Sequence, residues 1–148
     1  ASIYPIDLYL YQYLVGNAEQ SVSVTNRLKR MSHVEKVTED LIRHYNAHPE
    51  FSDAAKEYIY KKTEGVILSY YVAGCIMNPN KRTGRSDCLR YNTMIRTLNP
   101  GIWNRVSRKF RIYLWMNRFG ISYPMYEKML HSEVYNRLRH NHKIEKEN

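Results

Sequence analysis

The apolar positions follow two different periods along the chain. Between Ile6 and Ser23 they alternate: Tyr9, Tyr11 and Tyr13 stand at spacing two, with Leu8, Leu10 and Leu14 interleaved. That is strand period, and the aromatic content suits a pleated surface. Gly16-Asn17 supplies a turn, and Val22 and Val24 alternate with Ser21 and Ser23 as a short second strand. From Thr25 onward the spacing changes to three and four, the helical repeat. Leu28, Met31, Val34, Val37, Thr38, Leu41 and Tyr45 predict a first helix over 25–45, ending before His48-Pro49. A second is predicted from Ser52 to about Met77. It is apolar nearly all round after Val66, which makes it the central helix of the body.

Asn78-Pro79-Asn80 stops that helix, and Lys81–Arg85 (KRTGR) reads as a polar basic turn. Ser86 reads as the cap of a short third helix through Leu98, closed by Asn99-Pro100-Gly101. The fourth, over 102–119, carries two apolar stripes. Ile102, Val106, Phe110, Tyr113 and Asn117 form one; Ile112, Trp115, Met116 and Phe119 form the other. Two stripes imply that the later turns are covered on two sides, or that one side faces a partner. Gly120 suits a helix end, and Ser122 with Pro124 opens a last helix running towards Arg139. The expected fold is therefore mainly α: a small bundle of four to five helices preceded by a β-strand or short hairpin. It divides into a strand or hairpin segment (1–24), a helical domain (25–139) and a charged, fraying tail (140–148).

Charge sharpens this picture. The net charge is +9 over 148 residues, but the excess is confined to one block. Residues 1–80 come to −1, residues 81–118 to +9 and the last thirty to +1. The block comprises Lys81, Arg82, Arg85, Arg90, Arg96, Arg105, Arg108, Lys109, Arg111 and Arg118. Arginine predominates, and its planar fork suits phosphate or carboxylate. These ten residues are the candidate surface for an anionic partner: the cytoplasmic face of a membrane, or a lipid-linked glycan. Trp103, Trp115 and Phe119 lie beside these charges and would suit an interface touching lipid. Nucleic acid is the rival class, although the arginines keep no single periodic helix face.

Candidate catalysis is sparse. Histidines 33, 44, 48, 131, 140 and 142 include no pair set for metal around a carboxylate, and glycine-rich phosphate loops are missing. Cys75 and Cys88 are too few for a disulfide framework, and reduced, at least partly buried thiols are expected. No catalytic residue, metal ligand or cofactor is assigned. The fourteen tyrosines against three phenylalanines suit boundary packing, where an apolar body ends in a hydroxyl.

Tyr11, Tyr13, Gly16, Gln20, Ser21 and Ser23 together form a pattern. It resembles Y-R-Y-x-x-G-R-x-G-Q-S-x-S, the segment that closes the catalytic domain of bacterial family-2 (GT-A type) glycosyltransferases of capsule, exopolysaccharide and cell-wall glycan synthesis. Gln12, Asn17 and Glu19 depart from it. The resemblance implies a non-catalytic carboxy-terminal accessory region, with Tyr11, Tyr13, Gly16, Gln20 and Ser21 at the junction with a catalytic domain not contained in these residues. The parent enzyme would transfer a sugar from a nucleotide-sugar to a growing glycan, and that nucleotide-sugar and a divalent metal would belong to the missing domain alone. The opening Ala1-Ser2-Ile3 reads as an excised fragment. The other expectations are a cytoplasmic location at the inner face of the membrane, self-association through an apolar edge, and, as alternatives, a free-standing nucleic-acid-binding module or a purely structural assembly domain.

Overall fold

The computed structural model describes residues 23–132, which form six α-helices and one π-helical segment. They are α1 (Val24–Lys29), α2 (Met31–Ala47), α3 (Asp53–Tyr71), α4 (Lys81–Leu98), α5 (Pro100–Arg118) and α6 (Tyr123–Leu130). The π segment, Val72–Met77, continues α3 without a break. The expectation of four to five helices is corrected to six, because the first predicted helix divides at Arg30, which ends α1 and begins α2. The expected second strand is also corrected at its end: Ser23 caps α1 by accepting from the Asn26 N–H, and Val24 is helical. The rest of the expected strand or hairpin, and the junction residues Tyr11, Tyr13, Gly16, Gln20 and Ser21, lie outside the described residues. So does the tail 140–148.

A second correction concerns KRTGR. These residues form the first turn of α4, capped by Asn80, whose side chain accepts from the Thr83 N–H at 3.0 Å. Gly84 suggested a turn, yet it serves packing. A Cβ placed on Gly84 would stand 2.0 Å from the Gly74 carbonyl oxygen, and one on Gly74 would stand 2.4 Å from Cys88 Sγ. The two glycines let α4 cross the π segment with their backbones in contact.

The π segment is the hub: α1, α3, α4, α5 and α6 all pack against it. Its wider turn is closed by the Asn78 N–H donating to the Ala73 carbonyl at 2.9 Å, a bond spanning five residues. Ala73 to Met77 are all buried, so its terminal carbonyls are hidden from water and must find donors within the protein. Lys81 Nζ donates to the Ile76 carbonyl at 2.7 Å, to Ile121 at 3.1 Å and, more weakly, to Cys75 at 3.5 Å. Buried Asn117 Nδ2 donates to the Cys75 carbonyl at 2.9 Å and the Lys81 carbonyl at 3.2 Å. The ammonium also meets the negative end of the helix dipole. Burial lowers the Lys81 pKa from its ordinary value, the thiol of Cys75 acting the other way.

Around the hub the core is built from Ile42, Ile67, Ile76, Ile95, Ile102, Val106 and Phe110 with three tyrosines. Tyr70 stacks on Tyr91 with ring centroids 3.9 Å apart, and Tyr71 packs on Phe110 at 4.6 Å. Each hydroxyl has a partner. Tyr91 Oη bonds Thr38 Oγ1 at 2.7 Å, Tyr71 donates to Asn92 Oδ1 at 3.1 Å, and Tyr70 reaches Glu35 Oε2 at 3.4 Å. These rings are core with satisfied polar ends. Gly120, at φ +68°, ends α5 in the left-handed conformation, with the Ile121 N–H returning to the Met116 carbonyl at 3.0 Å. That turn brings α6 against the π segment, and the outer side of α5 is left uncovered by the described residues.

Two stability predictions follow from the hub. Gly84→Ala should cost about 3 kcal/mol, the upper end for overpacking, because the opposing atom is backbone and cannot rotate away. Gly65→Ala, in the middle of α3 with nothing within 4 Å of the new methyl, should gain roughly 0.5–1 kcal/mol of helix propensity. Urea unfolding of both variants checks the crossing, and equal effects would contradict it. Likewise, Lys81→Met should lose about 1–3 kcal/mol by leaving hidden carbonyls without donors, whereas Arg82→Met beside it should stay within about 0.5 kcal/mol. Denaturation midpoints that fall together would show that Lys81 has no structural role.

Candidate functional site

The ten basic residues of the block have separate fates. Lys81 is consumed by the hub. Arg90 makes a two-pronged ion pair with Glu35 of α2, its second nitrogen lying 2.8 Å from Oε2. Arg96 lies over the Trp103 ring at 5.0 Å. Arg105 donates to both oxygens of Glu57 at 3.1 and 3.2 Å and lies 4.8 Å from the Tyr60 ring centre. Lys109 Nζ donates to Glu64 Oε1 at 2.6 Å. Hydrogen bonds donated to Glu35 and Glu57 raise the pKa of Arg90 and Arg105 respectively. The remaining five, Arg82, Arg85, Arg108, Arg111 and Arg118, make neither an ion pair nor a ring contact among the described residues.

Three of those five stand on α5, and the helix sorts its cations by side. Arg105 and Lys109, one turn apart, face α3 and are matched there by Glu57 and Glu64. Arg111 and Arg118 are exposed on the other flank, and Arg108 is exposed in line with Ile112 and Trp115. Between the flanks runs the second apolar stripe. The first stripe is the buried one: Ile102, Val106, Phe110 and Asn117 are at most 5% exposed. Of the second, Ile112 is 47%, Trp115 58% and Phe119 62% exposed. Trp115 and Phe119 pack on each other with ring centroids 4.5 Å apart.

Two hollows border this stripe and share Ile112. One is a shallow basin of about 420 Å³ lined by Arg108, Arg111, Ile112 and Trp115. The other, of about 350 Å³, lies between α3, α5 and α6 and is mainly apolar; Leu68, Ile112, Met116, Tyr126, Met129 and Leu130 line it. Met125 and Met129 of α6 are also exposed, at 51% and 42%. The result is one continuous apolar track with a cationic border. A patch of this kind on a folded domain marks an interaction surface.

The sequence placed Trp115 and Phe119 beside the charges but not at the centre of a site. The signal was the second stripe of α5; burial of the first is what leaves the second free. Trp103, grouped with them as an interface residue, packs half-buried against the core. His44 and His48 lie with ring centroids 4.4 Å apart, and His48 bonds the Glu50 carboxylate at 2.7 Å, with Phe51 stacked on its ring at 5.0 Å. They join no cluster of metal-ligating side chains among the described residues. None of the described helices is long and apolar enough to cross a membrane.

No family model, curated protein or solved structure matches this chain, so the descriptions as a transferase, expected from the first two dozen residues, and as membrane-associated, expected from the basic block, are both corrected: neither has support beyond the sequence pattern.

Proposed function

We propose that this chain is a non-catalytic helical assembly domain that acts by docking a macromolecular partner on the outer face of α5. The observation that carries this reading is the stacked, solvent-facing pair Trp115 and Phe119, continuous with Ile112 and bordered by arginines without ion pairs. Large aromatic side chains contribute to folding only when buried, and this pair lies outside the core. Covering side chains of this size typically yields about 1.5–3 kcal/mol each, and tryptophan and arginine are the residues on which binding energy concentrates. The scaffold beneath is rigid where it matters, because the opposite stripe of α5 is locked into the core. An accessory region beside a catalytic domain and a free-standing assembly domain would both use such a face. Both cysteines are free and buried, which supports a reducing, cytoplasmic setting.

A photoreactive residue placed at position 115 tests the reading in cells, with Tyr58 as control. Tyr58 is 63% exposed and lies on α3, away from the track. The expected outcome is a discrete protein adduct from position 115 that position 58 does not give. Equal labelling from both, or none from either, would reject docking on this face; an adduct removed by nuclease would replace a protein partner with nucleic acid.

A further inference from the structure

Resting on that docking reading, the geometry points to the chemistry of the occupant: we infer an acidic amphipathic α-helix of a partner protein, lying along α5. The domain itself shows how α5 receives a helix alongside. On its inner flank, Glu57 and Glu64 of α3 stand seven residues apart and meet Arg105 and Lys109. Seven residues are two helical turns, so one face of α3 presents both carboxylates in register. On the outer flank Arg111 and Arg118 are seven apart, where Arg105 and Lys109 are four apart; Arg108 stands one turn before Arg111, and among the described residues no acidic side chain pairs with any of the three. The outer flank thus offers a second cationic edge to α5, its charges two turns apart, and among the described residues no acidic partner meets it.

The apolar part of the track has the same periodicity. Ile112, Trp115 and Phe119 follow at intervals of three and four, the spacing of ridges that interlock with a second helix. From Arg108 to Phe119 the track is about 17 Å long at 1.5 Å per residue, room for three turns of a partner. The chain supplies no internal competitor for these arginines nearby in sequence, since no carboxylate stands between Asp87 and Glu127. A helix with carboxylates seven apart and apolar residues between them would pair with Arg111 and Arg118 and cover the aromatic stripe in one placement. Nucleic acid would satisfy the guanidinium groups but leave Ile112 and the flank towards Met129 in water. Charge complementarity therefore selects an acidic helix, and the apolar track selects a protein.

The test uses the full chain and four labelled probes, read by fluorescence anisotropy. The first is a synthetic helix with leucines at spacing three and four flanked by glutamates at spacing seven. The second is the same composition scrambled off one face, the third has glutamine for each glutamate, and the fourth is a duplex DNA oligonucleotide. The expected result is micromolar binding of the first probe, weakened at least tenfold by scrambling, by glutamine and by moderate salt. The protein variants Arg111→Glu/Arg118→Glu and Trp115→Ala should each weaken it tenfold or more while keeping the wild-type circular dichroism and melting temperature. A lysine version of the probe should regain binding to the charge-reversed protein. Glutamine and glutamate probes binding alike would overturn the acidic assignment while leaving docking intact. Failure of every peptide, equal binding of the scrambled one, or DNA binding that ignores Trp115→Ala would overturn the inference. The in-cell adduct at position 115 judges docking independently.

Discussion

The constraint on which this domain rests is a helix that ends inside its own core. The π segment finishes at Met77 with its last residues buried, so the carbonyls that any helix leaves unpaired are here cut off from water. An isolated hidden carbonyl costs of order 1–3 kcal/mol, and several together would unseat the segment. Lys81 and Asn117 meet that need, one at the start of α4 and the other near the end of α5. In doing so they fix where both helices sit. Lys81 also holds the Ile121 carbonyl, which anchors the turn between α5 and α6. The Gly74–Gly84 contact belongs to the same arrangement, since α4 must approach closely for Lys81 to reach back over the segment.

Fixing α5 in this way determines which of its faces is free. Asn117 is drawn inward by the hub, and Ile102, Val106 and Phe110 follow on the same stripe into the core. Lys109 and Arg105 are then turned towards α3, where Glu64 and Glu57 neutralise them. Arg108, Arg111 and Arg118 have no such neighbour among the described residues, and Ile112, Trp115 and Phe119 are carried outward with them. The basic block of the sequence is therefore several things physically: a half-buried helix-capping ammonium, a set of ion pairs between helices, a cation over an aromatic ring, and a remainder of uncommitted arginines.

How much of this was legible in the sequence depends on the kind of signal. The apolar runs of α2, α3 and α5 announced themselves by period, and the centrality of 66–77 followed from being apolar all round. Caps at Ser52 and the stop at Gly120 were readable because each has one local cause. Gly84 was misread because a glycine that permits a turn and a glycine that permits a crossing look alike until the opposing backbone is known. Lys81 was misread for the same reason: its partners at Ile76 and Ile121 are fixed only by the fold. Arg30 has no proline or glycine beside it, so nothing local marked the division of the first helix. The two stripes of α5 were visible, and their unequal fates were not, because burial of one is decided by the hub.

The free stripe is not surplus core. A second apolar stripe on a surface helix exposes area that water disfavours, and it invites nonspecific association unless something limits the choice of partner. Here the limit is charge. Cations bordering the track repel another basic surface, including the same face of a second copy, and desolvating unpaired arginines against a neutral helix would be unfavourable. Only an occupant that brings anions to both Arg111 and Arg118 removes that cost while covering Trp115 and Phe119. The contact with α3 shows that α5 takes ion pairs from a neighbouring helix whose carboxylates stand seven residues apart. Specificity at the outer face would then come from the arginines and affinity from the aromatic pair, a division of labour already present between Arg105, Lys109 and the buried stripe on the inner side.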